Sequence, residues 1–388
     1  MKTVFNLAFG LLFSGVVLAQ EHVIPFEEDN WVYINVKVND SEEPLSFVFD
    51  TGASSTVISA KAADRIGVKS NRTTTVSGAG GNESYKLAHD QTVHFESFSL
   101  KNLSLVIVNL NHLAERSGRP IDGIIGYDVI SNFVTQLDFD ADQIKLYKDA
   151  KDIPDLGTYA MKRINGNATI PIVPLRMTLK NGKTLKGKFF FDSGASTTLI
   201  FTSPFVRKYD LEDTIGDTFA NKSSGLTSTT SNTIGQLATL EFFDLEFEDV
   251  PVTLSKAKQG VLSRKNVSGI LGAEIINRFQ VVLDYDDNAL YLKPNKAINK
   301  PFRRNFCGFS PIKKDDKFYI DFVVDDSPAD RMGITANDEL LSINDNSVKD
   351  MNVIEEILQQ EGKTIKLELK KSDGNVKVYQ LKLERLIR

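Results

Sequence analysis

The segment Ser46-Phe47-Val48-Phe49-Asp50-Thr51-Gly52-Ala53-Ser54-Ser55-Thr56 returns later in the same chain as Lys188-Phe189-Phe190-Phe191-Asp192-Ser193-Gly194-Ala195-Ser196-Thr197-Thr198. One chance occurrence of Asp-[Ser/Thr]-Gly-Ala-Ser-[Ser/Thr]-Thr in a chain this long has a probability on the order of 10^-5 at ordinary residue frequencies. Two occurrences therefore mark a duplication, and a duplicated unit restricts the chain to architectures built from two similar lobes.

The likeness extends to both sides of the motif. Upstream, residues 31–38 and 171–179 read as strands, each ending in a turn dipeptide, Asn39-Asp40 or Asn181-Gly182, so each aspartate follows a hairpin. Downstream, Asp122-Gly123-Ile124-Ile125-Gly126 is matched by Ser268-Gly269-Ile270-Leu271-Gly272 at a slightly wider offset. A short helical piece follows in each copy, then strand, turn and strand: 134–139 and 144–147 in the first, 281–285 and 289–292 in the second. Each copy is a mostly β lobe of about 130 residues, enough to enclose a core. The lobes are assigned to 20–150 and 169–297, with 151–168, which holds Pro154, Gly157 and Gly166, as the linker. Residues 301–388 form a third unit.

Composition narrows the setting. Met1-Lys2 leads into an apolar run that ends in Val17-Leu18-Ala19, the pattern of a signal peptide over 1–19 with Gln20 as the mature start. The run is shorter than the roughly 20 residues of a membrane span. The protein is accordingly expected to be exported, periplasmic or secreted, with an uncleaved N-terminal anchor as the alternative. Cys307 is the single cysteine, so no intrachain disulfide supports the fold. A net charge of -5 without a basic stripe argues against a nucleic-acid partner. His22, His89, His94 and His112 lack metal-ligand spacing.

An aspartate at the end of an apolar strand, held in a turn by glycine, projects its carboxylate into a cleft. Two such groups brought together across a pseudo-two-fold axis cannot both ionise, so one stays protonated while its partner acts as a base. Such a pair can activate a water for attack on a peptide carbonyl and needs neither metal nor cofactor. Ser54 and Ser196 have no histidine partner in either copy, which argues against a serine hydrolase.

At these residues the chain resembles the retropepsin-like aspartic peptidases, whose pattern is hydrophobic-Asp-Thr/Ser-Gly-Ala followed later by two hydrophobic residues and glycine. The resemblance covers roughly residues 30 to 295 and implies a catalytic dyad of Asp50 and Asp192. Thr51, Gly52, Ser193 and Gly194 would then brace the two loops, with Ile124-Ile125-Gly126 and Ile270-Leu271-Gly272 packed behind them. One chain supplies both halves, so a monomer suffices for chemistry. Flaps are expected at Gly78, Gly80 and Gly81 in the first lobe and at Ser224 and Gly225 in the second. Ala53 and Ala195 stand where pepsin-like enzymes tend to place a hydroxyl at the first site. Lacking that donor, the pair is expected to work at mildly acidic to neutral pH.

In the third unit, Ser327-Pro328-Ala329, Gly333-Ile334, Asp338 and Ile343-Asn344 resemble the bacterial PDZ pattern, with Asn337 in place of the usual glycine. The resemblance implies an α+β PDZ domain, a carboxylate-binding loop at Cys307, Gly308 and Phe309, and a helix near 352–360 that flanks a peptide groove. The expected fold is thus two pseudo-symmetric acid-protease lobes followed by a PDZ domain. The expected function is an aspartic endopeptidase that acts on peptides or proteins, with PDZ-mediated recruitment or regulation. The alternative is a catalytically silent, peptide-binding envelope protein.

Overall fold

The computed structural model describes residues 20–77, 82–164, 169–224 and 229–387. Strands dominate, as the alternating and near-continuous apolar runs require. Trp31–Val38 is buried at nearly every position, and Leu45–Phe49 and Thr184–Phe191 end in buried phenylalanines. In the first lobe the order is Glu27–Asp29, Trp31–Val38, Leu45–Phe49, Gly123–Ile125, Val57–Ser59, Ser99–Val108, Asn82–His94, Arg72–Ser77. Trp31–Val38 pairs additionally with Asn82–His94 and folds the sheet back on itself.

The two halves of each repeat meet in one feature. Phe47, Val48 and Phe49 run parallel to Gly123, Ile124 and Ile125, and Phe189, Phe190 and Phe191 run parallel to Gly269, Ile270 and Leu271. The glycines of the second motif are set by this contact: a Cβ on Gly123 would overlap the Phe47 ring, and one on Gly269 the Ile200 carbonyl. A six-stranded sheet joins the lobes, in the order Gln20–Pro25, Gln143–Tyr147, Val134–Asp138, Phe279–Asp284, Ala289–Pro294, Ala160–Arg163. At its centre Gln136 faces Val282, flanked by Thr135 opposite Leu283 and Leu137 opposite Val281. This antiparallel pairing of equivalent strands places the pseudo-two-fold axis between Gln136 and Val282.

The segment expected to be a plain linker contributes Ala160–Arg163 to the edge of this sheet, paired with Ala289–Pro294. Pro154 and Gly157 stand just before the strand, which is why composition alone conceals it. Residues 165–168 of that segment, and the expected signal peptide, lie outside the described residues. No helix among the described residues is long and apolar enough to cross a membrane.

The third unit has its own core around Phe309, Ile320, Leu340, Leu367 and Leu381. Its sheet runs Phe309–Lys314, Lys317–Val323, Glu339–Ile343, Thr364–Lys370, Val376–Lys382, and the helix Met351–Leu358 flanks it. The PDZ-like residues have local reasons to be where they are. Ser327 caps a short helix by accepting from the Asp330 N–H, with Pro328 in its first turn. Asn337 sits at φ +69°, a left-handed conformation that asparagine tolerates in place of glycine.

Candidate active site

Each aspartate stands where its strand leaves the sheet. The Asp50 N–H donates to the Ile125 carbonyl and the Asp192 N–H to the Leu271 carbonyl, both at 3.0 Å, so the second motif of each lobe anchors the first. The Gly52 N–H then turns back to Asp50 Oδ1 at 2.7 Å, and the Gly194 N–H to Asp192 Oδ1 at 3.0 Å.

Thr51 and Ser193 lock the two turns together. The Thr51 N–H donates to Ser193 Oγ (3.1 Å) and the Ser193 N–H to Thr51 Oγ1 (3.0 Å). The Thr51 hydroxyl donates to the Phe191 carbonyl (2.8 Å), and the Ser193 hydroxyl to that of Phe49 (3.1 Å). All four bonds are buried and cross between lobes. Each hydroxyl both accepts and donates, so losing one leaves a buried backbone group unpaired.

This lock brings the carboxyls together. A Cβ on Gly52 would overlap the Asp192 carboxyl, and one on Gly194 the Asp50 carboxyl, so each acid lies over the other lobe's glycine. Both aspartates keep partial solvent exposure. Desolvation raises both carboxyls above the ordinary range. At Asp50 the Gly52 N–H and the hydrogen bond to Asp192 oppose the rise. At Asp192 the Asp50 charge reinforces it, and that group is pushed well above the usual carboxylate value. The two titrate as a unit that holds a proton above the ordinary carboxylate range.

Three neighbours were not singled out by sequence reasoning. Trp31, the only tryptophan, donates from Nε1 to the Gly194 carbonyl at 2.7 Å and so ties the first lobe to the Asp192 turn. It has no counterpart in the second copy, and its uniqueness was the available signal. Asp128 receives the Thr56 hydroxyl at 2.7 Å and the Thr56 N–H at 3.1 Å, and holds the end of the Asp50 loop. Glu274, its counterpart, instead pairs with Arg303 at 3.0 Å, at the entrance to the third unit.

Both lobes carry hairpins where flaps are expected, Arg72–Ser77 with Asn82–His94 and Phe219–Ser224 with Thr229–Gln236. Gly78, Gly80, Gly81 and Gly225 lie outside the described residues, and Ser224 closes its strand. In the third unit Gly308 adopts φ +86° against Ser327. The Cys307 and Gly308 N–H groups donate to Asn305 Oδ1 at 3.0 and 2.8 Å. A peptide carboxylate that reaches this loop must displace that carboxamide. Cys307 is fully buried, and burial pushes its thiol up to about 12.

The family model described as aspartyl protease matches residues 34–129 and 173–275, and that of the PDZ domain matches residues 319–371. Among solved structures, the aspartic proteinase from Irpex lacteus matches at 14% identity with a TM-score of 0.45, covering 72% of this chain and 98% of that one. No curated protein matches this chain.

Proposed function

Because this chain belongs to the aspartyl protease family, we propose that it is an endopeptidase in which a water between Asp50 and Asp192 is activated for attack on a peptide carbonyl. The observation that carries this reading is the reciprocal placement of each carboxyl over the other lobe's glycine, with both carboxyls raised by desolvation. Asp50 takes the proton of the attacking water as general base. Asp192 gives its proton to the carbonyl oxygen as the hydroxyl adds; on collapse Asp50 passes the water-derived proton to the leaving amine and Asp192 recovers one from the intermediate's hydroxyl. Neither Ala53 nor Ala195 offers a hydroxyl to hold the charged form, which supports an optimum above the strongly acidic range.

The PDZ domain binds peptide segments and recruits or regulates substrates. Export through the N-terminal 1–19 segment is part of the same proposal, and N-terminal sequencing of the mature protein checks it: a start at Gln20 supports cleavage, and a start at Met1 overturns it. The activity test is digestion of a mixed peptide library from about pH 3 to 8, read by mass spectrometry beside Asp50→Asn and Asp192→Asn. Cuts lost in both variants support the shared pair. Cuts retained in either overturn it, and no cuts at any pH favour the silent, peptide-binding reading.

A further inference from the structure

A cavity of about 350 Å³ lies between the PDZ domain and the catalytic lobes. Its catalytic wall starts at Ser196 and Thr197, just beyond the Asp192 turn, and continues along Phe219 and Ile234 of the second-lobe hairpin. Its opposite wall is Ser310 on the PDZ strand Phe309–Lys314 and Leu358 on the PDZ helix.

That strand is the edge of its sheet, bonded on one side only, but its cavity end offers a passing chain contact surface and no ladder: the Phe309 carbonyl accepts from Asn305 Nδ2 at 2.6 Å, the Phe309 N–H donates to Cys307 Sγ, and Pro311 has no N–H. Access to it is restricted. The first-lobe helix Asn111–Ser117 packs on the strand. Arg116 pairs with Asp321 at 3.0 Å, and Gly118 is so close to Met351, the first residue of the PDZ helix, that an added Cβ would sit 2.6 Å from the Met351 Cβ. A ligand therefore cannot lie along the whole groove. The part left open, near Phe309 and Pro311, faces the cavity and hence the catalytic lobes.

The charges at the cavity are balanced. Arg303, Arg116 and Arg385 are matched by Glu274, Asp321 and Glu361. Arg304, half-buried, donates to Gln236 Oε1 at 2.8 Å and to the Asp249 carbonyl at 2.6 Å, with the Asp249 charge close by, and Glu355 lines the same cavity.

We propose that this cavity is an extension of the substrate cleft: a polypeptide lying across Asp50 and Asp192 leaves the cleft past Ser196 and continues between the second-lobe hairpin and residues 309–311 of the PDZ domain. The inference rests on the proteolytic reading for its substrate, and makes the PDZ domain part of the substrate site instead of a separate recruiting module. At this volume the cavity holds roughly two to three residues, near the lower end of ordinary ligand pockets.

The test compares a short cleaved peptide with versions extended at either end, on the full chain and on Ser310→Trp and Gln359→Trp, Gln359 lining the cavity beside Leu358. Extension at one end is expected to raise kcat/KM about tenfold, corresponding to about 1.4 kcal/mol. Either tryptophan, by filling the cavity, brings the ratio of extended to short substrate back to near one. Two tryptophan sites guard against one of them disturbing folding, which thermal melting monitors. An equal ratio in wild type and both folded variants, or no gain from extension at either end, overturns the inference. Fluorescence anisotropy of the same peptides on Asp50→Asn separates this from failure of the proteolytic reading. If nothing is cleaved but extended peptides bind more tightly in a Ser310-dependent way, the activity falls and the extended site stands.

Discussion

The indole of Trp31 donates its N–H to the carbonyl of Gly194 at 2.7 Å, a contact from strand Trp31–Val38 of one lobe to the Asp192 turn of the other. Trp31→Phe keeps most of the apolar packing and leaves that carbonyl without its donor. The expected result is a loss of about 1 kcal/mol in urea unfolding together with a fall in kcat, because the Asp192 turn loses a support. Unchanged stability and turnover would show the contact to be incidental.

Removing either locking hydroxyl should cost more. Thr51→Val or Ser193→Ala strands a buried N–H and a buried carbonyl, for a loss of about 1–3 kcal/mol each. The two residues share partners, so the double variant is expected to lose less than the sum of the singles. Thr51→Ser, which keeps the hydroxyl, should restore most of the stability.

Gly52→Ala and Gly194→Ala each push a methyl group into the opposite carboxyl. The chain can relieve this only by separating the acids. Cleavage should fall by about a hundredfold or more, the scale on which displaced catalytic groups lose efficiency, with a smaller change in melting temperature. Near-normal activity in either variant would mean that the pair tolerates separation and that the proposed shared proton is wrong.

The raised carboxyls give a pH dependence of defined sign. A carboxyl whose folded pKa lies above its unfolded value favours folding below the unfolded value, and that contribution is lost as pH rises through the folded one. For Asp192, raised by burial and by the Asp50 charge, the loss falls above the ordinary carboxylate range. Asp192→Asn stays neutral, so it should melt higher than wild type at neutral pH, with the gap closing on acidification to about pH 3. A gap that widens on acidification would reverse the assignment.

Glu355 offers the same measurement at the contact between domains. It lies on the PDZ helix within 3.5 Å of the Asn30 side chain, and desolvation raises its carboxyl, with Arg303 opposing. Glu355→Gln is therefore expected to stabilise the PDZ domain against the lobes at neutral pH and to make little difference below about pH 4. Limited proteolysis of the 295–305 segment across pH reads the docking directly.

The duplicated lobes, Asp50 and Asp192, Thr51 and Ser193, and the PDZ unit were legible in the chain because they depend on short motifs whose backbone geometry is local. Strand Trp31–Val38 falls on the residues its alternation predicts, and Asn337 was legible as a glycine substitute because left-handed backbone is a property of one residue. The tertiary structure alone decided the rest. Ala160–Arg163 becomes a strand only because Ala289–Pro294 presents an edge to it. Trp31 acquires its role only when the Gly194 turn of the other lobe arrives over it. The PDZ groove opens towards the two lobes only once the third unit docks. Spacing along a chain sets which backbone conformations recur, whereas packing between distant segments is selected by shape and desolvation across surfaces that have no common sequence pattern.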